Sequence, residues 1–237
     1  MQENLAASQA KPKLVLFDVN ETLLDMSKVK KKVNSVLGTK HGFKIWFGLL
    51  LQYSLVDNAV SEYHNFSIIA DVALDMAAVK LQTKVRDDDK KKVLQLFTQA
   101  PPYGEVKKGL ELLKKAGYRL ATLTNTPNST QLLQLNKGDI TKYFEATLSV
   151  DDIKRYKPAL ETYSWAAQKL QLPPTEIILV AAHGWDITGA FHVGMQTAFV
   201  ARKGQELYPL APPPTFTGEN LVEVANAIIK SYGGKGK

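Results

Sequence analysis

The chain has 237 residues, 45% hydrophobic and 22% charged, enough to bury a substantial core as one large domain or as a core with a smaller insertion. It has no cysteine, which excludes disulfides, thiol catalysis and thiolate metal sites. The longest apolar run, 45–51, is too short to span a bilayer, and residues 1–13 carry no apolar signal core, so the expectation is a soluble, cytoplasmic protein without a membrane partner. The net charge is +7, with lysine runs at 28–32 and 90–92. No aromatic residues interleave with these lysines as a base-stacking platform requires, so they read as solvated helix faces rather than a nucleic-acid surface. A positive overall potential still favours small anionic substrates.

Taken in order, the chain opens on a buried strand, Leu14-Val15-Leu16-Phe17, which runs into Asp18. Residues 26–100 read as helical. The segment 43–56 is so apolar that its helix must be buried on most sides, inside a helical subdomain or against a partner subunit. Further helices are predicted over 65–80 and 87–98, the latter with Asp87, Asp88 and Asp89 at its positive end. Pro101, Pro102 and Gly104 mark a junction.

Strands and helices then alternate. Strands are predicted over 119–123, 146–149, 177–181 and 197–200. Helices are predicted over 106–116, 129–136 and 160–170, after His183, and over 221–231. Residues 211–214 read as a linker and 233–237 as a frayed tail. Repeated β-α units predict an α/β fold, a doubly wound parallel sheet of Rossmann type. The helical stretch is then a cap inserted after the first strand, with 1–27 and 103–237 as the core domain and 28–102 as the cap subdomain.

Every predicted core strand ends in residues with chemical capability: Asp18, then Thr124 and Asn125, then Lys157, then His183 and Asp186. Carboxyl ends of neighbouring strands converge on one crevice in such a sheet. Together these residues supply a carboxylate nucleophile, hydroxyl and amide donors, a cation that keeps the carboxylate ionised, and a second carboxylate to orient the cation.

The segments 18–23, 123–125, Lys157-Pro158 and the region of Asp186 resemble, in order and over nearly the whole chain, the four motifs of the haloacid dehalogenase superfamily. Trp46 followed by Gln52-Tyr53-Ser54, the run 149–153, Tyr163 and the run 181–190 are similar to the type II 2-haloacid dehalogenases. The superfamily's phosphatases need an aspartate two residues after the nucleophile and another four before the motif-four aspartate. This chain has Asn20 and Ala182 there, so a hard divalent cation lacks ligands and the leaving oxygen lacks a general acid.

The resemblance therefore implies a reaction without metal or other cofactor. Asp18 would displace halide from a small anionic 2-haloacid, and water would cleave the resulting aspartyl ester to a 2-hydroxy acid of inverted configuration. Lys157 would hold Asp18 ionised, with Asp186 and Tyr163 behind it, and Thr124 and Asn125 would bind the substrate carboxylate. Val19, Asn20, Phe47, Tyr53, Tyr163 and Trp185 complete the expected substrate surroundings.

Three positions depart from the family pattern. Glu21 stands where a glycine is usual and His183 where an asparagine is usual, and the expectation is that they pair to activate the hydrolytic water. Phe47 stands where the family's cap arginine would pair with an anion. Two other classes remain open: an aspartate-nucleophile hydrolase of a non-halogenated or phosphorylated compound, and a non-catalytic binding protein docking through the apolar helix. A homodimer through the cap is the expected assembly.

Overall fold

The computed structural model describes residues 11–233; residues 1–10 and 234–237, including most of the expected frayed tail, lie outside the described residues. Strand β1 (Leu14–Phe17) is followed by helices α1 (Ser27–Val36), α2 (Gly42–Val60), α3 (Phe66–Lys80) and α4 (Asp87–Thr98). Then come α5 (Val106–Lys115), β2 (Arg119–Thr124), α6 (Asn128–Lys137), β3 (Ala146–Ser149), α7 (Leu160–Lys169) and β4 (Ile177–Ala181). The chain closes with α8 (Gly184–His192), β5 (Gln196–Val200), β6 (Phe216–Gly218) and α9 (Leu221–Tyr232).

The six strands form one parallel sheet in the order β3-β2-β1-β4-β5-β6. The strand order reverses at β1, so the crevice that an open α/β sheet offers a ligand opens at its carboxyl end, beside Asp18.

The period-2 alternation of the strands divides the core. Val15, Phe17, Ile178 and Val180 face one side, where Leu110 of α5 and Val224 and Ile228 of α9 pack. Leu14, Leu16, Ile177 and Leu179 face the other, against Ala166 of α7 and Ile187 and Ala190 of α8. Both faces are covered, which is why the strand sequences are continuously apolar. Helices α1–α4 form the inserted cap. Trp46, Leu50, Leu74, Ala77 and Val93 are fully buried there, in a cluster continuous with the first face of the sheet.

Three features differ from the sequence-based expectation. Strand β6 lies beyond the proline-rich linker and was not predicted. It has only three residues and gains its partner solely by lying along β5. Lys90 is not part of a solvated face: it is buried on α4 and pairs with Asp75 and Asp71 of α3. Helix α2 buries Phe43, Trp46, Leu49 and Leu50, yet its last turns expose Leu55, Val56 and Val60.

The loop after β1 is fixed by the segment returning from the cap. Asp25 N–H donates to Pro101 O at 2.7 Å, and Tyr103 N–H donates to Leu23 O at 2.9 Å. Buried Arg202, just past β5, locks the crossing. Its Nε and Nη2 donate to Thr22 O at 3.2 and 2.9 Å, Nη2 pairs with Glu105 at 2.7 Å, and the guanidinium lies 3.8 Å over the Tyr103 ring. Removing a charged donor of this kind leaves Thr22 O and Glu105 without it. Arg202→Met is expected to cost about 2–3 kcal/mol, read as a lower urea midpoint at unchanged slope.

Candidate active site

Asp18 extends β1 by one residue, its N–H donating to Val180 O at 3.0 Å, and its carboxylate emerges at the switch point of the sheet. Oδ2 accepts from Thr22 Oγ1 at 2.6 Å, and that hydroxyl accepts from Ala182 N–H at 2.9 Å, which aims its hydrogen at Asp18. Oδ1 accepts from Lys157 Nζ at 2.8 Å. The remaining two hydrogens of the lysine go to Leu123 O at 2.9 Å and Asp186 Oδ2 at 2.7 Å, so the ammonium is fully used. Asp186, in the first turn of α8, accepts on Oδ1 from Tyr163 Oη at 2.6 Å. Gly189, a turn later on α8, lets the Tyr163 ring approach: a Cβ there would lie 2.5 Å from Tyr163 Cε2.

Burial alone would raise the pKa of Asp18, but the positive charge of Lys157, joined by His183, outweighs it and holds the carboxyl well below the usual carboxylate range. Burial likewise pulls Lys157 down, and the Asp18 and Asp186 carboxylates reverse that, so the ammonium keeps its proton. The phenol of Tyr163 is pushed well up by burial and by Asp186, which leaves it a permanent donor. The result is a desolvated, ionised carboxylate held in a fixed orientation, the requirement for a nucleophile.

His183 lies between this carboxylate and Glu21. Its Nε2 is 3.2 Å from Glu21 Oε2, and its Nδ1 is 3.3 Å from Asp18 Oδ2, near enough for charge attraction but without hydrogen-bond alignment. Phe47 and Trp185 flank the imidazole on stacked planes, with centroids at 6.2 and 5.1 Å. Burial pulls the pKa of His183 down, and the facing Asp18 and Glu21 carboxylates outweigh that, so it is pushed up from 6.5 to about 9. Glu21 has a φ of 61°, in the left-handed region that favours glycine. Holding a larger residue there costs on the order of 1 kcal/mol, and its side chain meets the imidazole.

Eight predicted residues meet on a cavity of about 20 Å³: Asp18, Asn20, Phe47, Thr124, Asn125, Lys157, His183 and Trp185. Asn125 accepts on Oδ1 from Lys157 N–H at 2.9 Å, while its buried Nδ2 has no partner among the described residues. Thr124 Oγ1 accepts from Thr126 N–H at 3.2 Å. The amide of Asn20 is occupied on both sides, donating to Thr126 Oγ1 at 2.8 Å and accepting from Gln134 at 3.1 Å.

Asp186, Tyr163 and Glu21 act from outside this wall. Val19 and Tyr53 are placed elsewhere. Val19 shares the strand face of Val15 and Phe17 and is buried in the core, and Tyr53 is half-buried against the cap core. Sequence reasoning missed Leu51 and Phe66, which complete the cavity wall, and Arg202 behind Thr22. Leu51 was legible, being one turn beyond Phe47 on the same face of α2; nothing in the sequence marks Phe66 or Arg202.

The sequence pattern of the haloacid dehalogenase-like hydrolases matches residues 15–200. The (S)-2-haloacid dehalogenase 1 of Pseudomonas sp. strain CBS-3 is 32% identical over 83% of this chain and 88% of its own. Among solved structures, a dehalogenase with an intermediate complex superimposes with a TM-score of 0.84 at 26% identity, over 92% of this chain and 97% of that one. The L-2-haloacid dehalogenase from Xanthobacter autotrophicus with chloropropionic acid covalently bound shares the fold, with a TM-score of 0.82 at 21% identity over 92% and 98% of the two chains. On the extent of the sequence match and the identity to a named relative, the chain belongs to the haloacid dehalogenase-like hydrolase family.

Proposed function

We propose that this protein hydrolyses short 2-haloacids to 2-hydroxy acids with inversion, through an aspartyl ester on Asp18 and without a metal ion. The observation that carries this reading is the Asp18 carboxylate, ionised against Lys157 and facing a small cavity walled by Phe47, Leu51, Phe66 and Trp185. The relatives named as 2-haloacid dehalogenases support it, as does the neighbour with covalently bound chloropropionic acid.

In the first step an Asp18 oxygen attacks C2 of the acid in line. The C–O bond forms as the carbon–halogen bond breaks, and the halide leaves with the bonding pair. A halide needs no general acid, in keeping with Asn20 at that position. Thr124 and Asn125 bind the substrate carboxylate, Asn125 through its unpartnered Nδ2. Phe47 and Trp185 enclose the apolar part of the substrate.

Ester formation removes the charge of Asp18 that raised the pKa of His183. The imidazole then releases its Nδ1 proton while Nε2–H stays turned to Glu21, and Nδ1 becomes the base for a water attacking Cγ of Asp18. The tetrahedral adduct collapses, the bond from Cγ to the ester oxygen breaks, and that oxygen leaves on C2 as the product hydroxyl, taking the proton from His183. The balance is one water consumed, with one hydroxy acid, one halide and one proton released.

The same reading divides the chain into a core domain, 1–27 with 103–237, and a cap, 28–102, and places the protein in the cytoplasm. It also assigns the exposed apolar residues of α2 and α3, among them Val60, Ile68, Val72 and Val79, to a contact with a second copy.

Halide release and acidification are expected in EDTA with one enantiomer of 2-chloropropionate and with bromoacetate, and Asp18→Asn should lower the rate by roughly four orders of magnitude. Absence of release from all of these acids would overturn the assignment. In rapid-quench experiments His183→Asn should accumulate the ester and slow its hydrolysis by about 10²–10⁴-fold. In the parent, ester hydrolysis should rise with pH along a limb centred below pH 9, because the base must be neutral and the ester no longer carries the charge of Asp18. That limb should be missing from His183→Asn. The folded protein binds the His183 proton more tightly than the unfolded chain, so this contribution to stability is complete below pH 6.5 and is lost as the pH rises through about 9. Sedimentation should show a dimer, and Val72→Lys with Val79→Lys should shift it to monomer.

A further inference from the structure

The charges around Asp18 do not by themselves attract an anionic substrate. Asp18, Asp186 and Glu21 carry three negative charges against the two of Lys157 and a protonated His183. A carboxylate substrate therefore approaches a cavity that is net negative even with the imidazole charged. Phe47, on the cap side, offers no charge. The cavity of about 20 Å³ is the size of a single water, so an acid of six heavy atoms must come through an adjoining space and be drawn there by charge outside the inner wall.

A second pocket, of about 310 Å³, adjoins it. Phe47, Leu51, His183 and Trp185 line both, so the stacked rings and Leu51 form the partition between them. Three lysines face this outer pocket: Lys30 of α1, Lys44 of α2 and Lys203 of the loop after β5. They come from three separate elements, so no single helical periodicity brings them together. All three are exposed, and none makes an ion pair among the described residues, whereas Lys13, Lys32, Lys90, Lys107 and Lys142 all do. The carboxylate on the outer wall is that of Glu21, already turned to His183.

We infer that this outer pocket is the substrate vestibule, and that Lys30, Lys44 and Lys203 capture the carboxylate of the incoming acid and steer it past Phe47 to Asp18. This rests on the reading of the site as one for a small anionic acid, and it names residues that supply the attraction a cap arginine would otherwise provide. Free ammonium groups on flexible stems at the rim of a cleft raise the local concentration of an anion and release it inward, with an effect that salt screens.

The test is the combined Lys30→Gln, Lys44→Gln, Lys203→Gln variant, read in two ways. The first needs no turnover. In a Trp165→Phe background, with Trp46 fully buried, quenching by iodide reports anion access to Trp185, and quenching by neutral acrylamide reports access alone. Iodide quenching should fall several-fold in the variant while acrylamide quenching stays as in the parent. The second is kinetic: kcat/KM for the 2-haloacid should drop about tenfold and lose most of its dependence on salt, with kcat within about twofold. Unchanged iodide quenching with unchanged kcat/KM would overturn the vestibule. A parent enzyme that releases no halide would instead overturn the dehalogenase reading, and the quenching experiment would still decide whether the lysines gather anions.

Discussion

The Lys157 ammonium, sealed from solvent between two carboxylates, is the constraint on which the rest of this structure depends. A buried charge costs several kcal/mol of desolvation unless its partners are in place, and here each of its three hydrogens has one. Those partners come from different strands: Asp18 follows β1, Leu123 O belongs to β2, and Asp186 follows β4. Lys157 itself lies in the segment after β3. The ammonium is satisfied only when the central strands are in their native register, because a shift of one residue would turn each side chain to the opposite face. Forming the sheet and assembling the Asp18–Lys157–Asp186 network are thus one event.

The cap is bound to the same network from the other side. Asn58, near the end of α2, accepts from Tyr156 N–H at 2.9 Å and donates to Tyr156 O at 2.8 Å, gripping the residue next to Lys157. Arg155 donates to Asn58 O at 2.8 Å, and Tyr63 bonds Asp151. Further along, Phe43 and Phe47 stack at 5.5 Å, and the series continues through His183 to Trp185, joining α2 to α8 across the cleft. Apolar rings over a buried imidazole do two things at once. They exclude water from the ionised carboxylate, and they favour a charged imidazole through their faces. The cap thereby sets the size of the cavity, while the Asp18 and Glu21 carboxylates of the core raise the proton affinity of His183.

Much of this was legible from single residues read against a fold. Four apolar residues ending in Asp18, the Thr124-Asn125 pair, Lys157 and the His183-to-Asp186 run each follow a strand, and a parallel sheet brings strand ends together whatever their separation in sequence. The pairing of Glu21 with His183 followed from the same argument, since both loops leave adjacent strands. The left-handed backbone of Glu21 was not legible, because φ is set by the turn that Leu23 and Leu24 close on Val19 O. Nor was the burial of Lys90. Its neighbours Lys91 and Lys92 are exposed, and the approach of Asp75 and Asp71 from another helix makes it different.

By itself the sequence determined the α/β alternation, the helical insertion after the first strand and the identity of the strand-end groups. These are set by periodicity, by turn residues and by side-chain chemistry, all of them local. Only the tertiary structure decided that β6 pairs along β5, that Arg202 reaches back to Thr22 O, and that Leu51 and Phe66 close the cavity. It alone brought Lys30, Lys44 and Lys203 to one rim. The reason is the same in each case: the contact joins residues with no short-range pattern in common, and its energy exists only once the elements between them have packed.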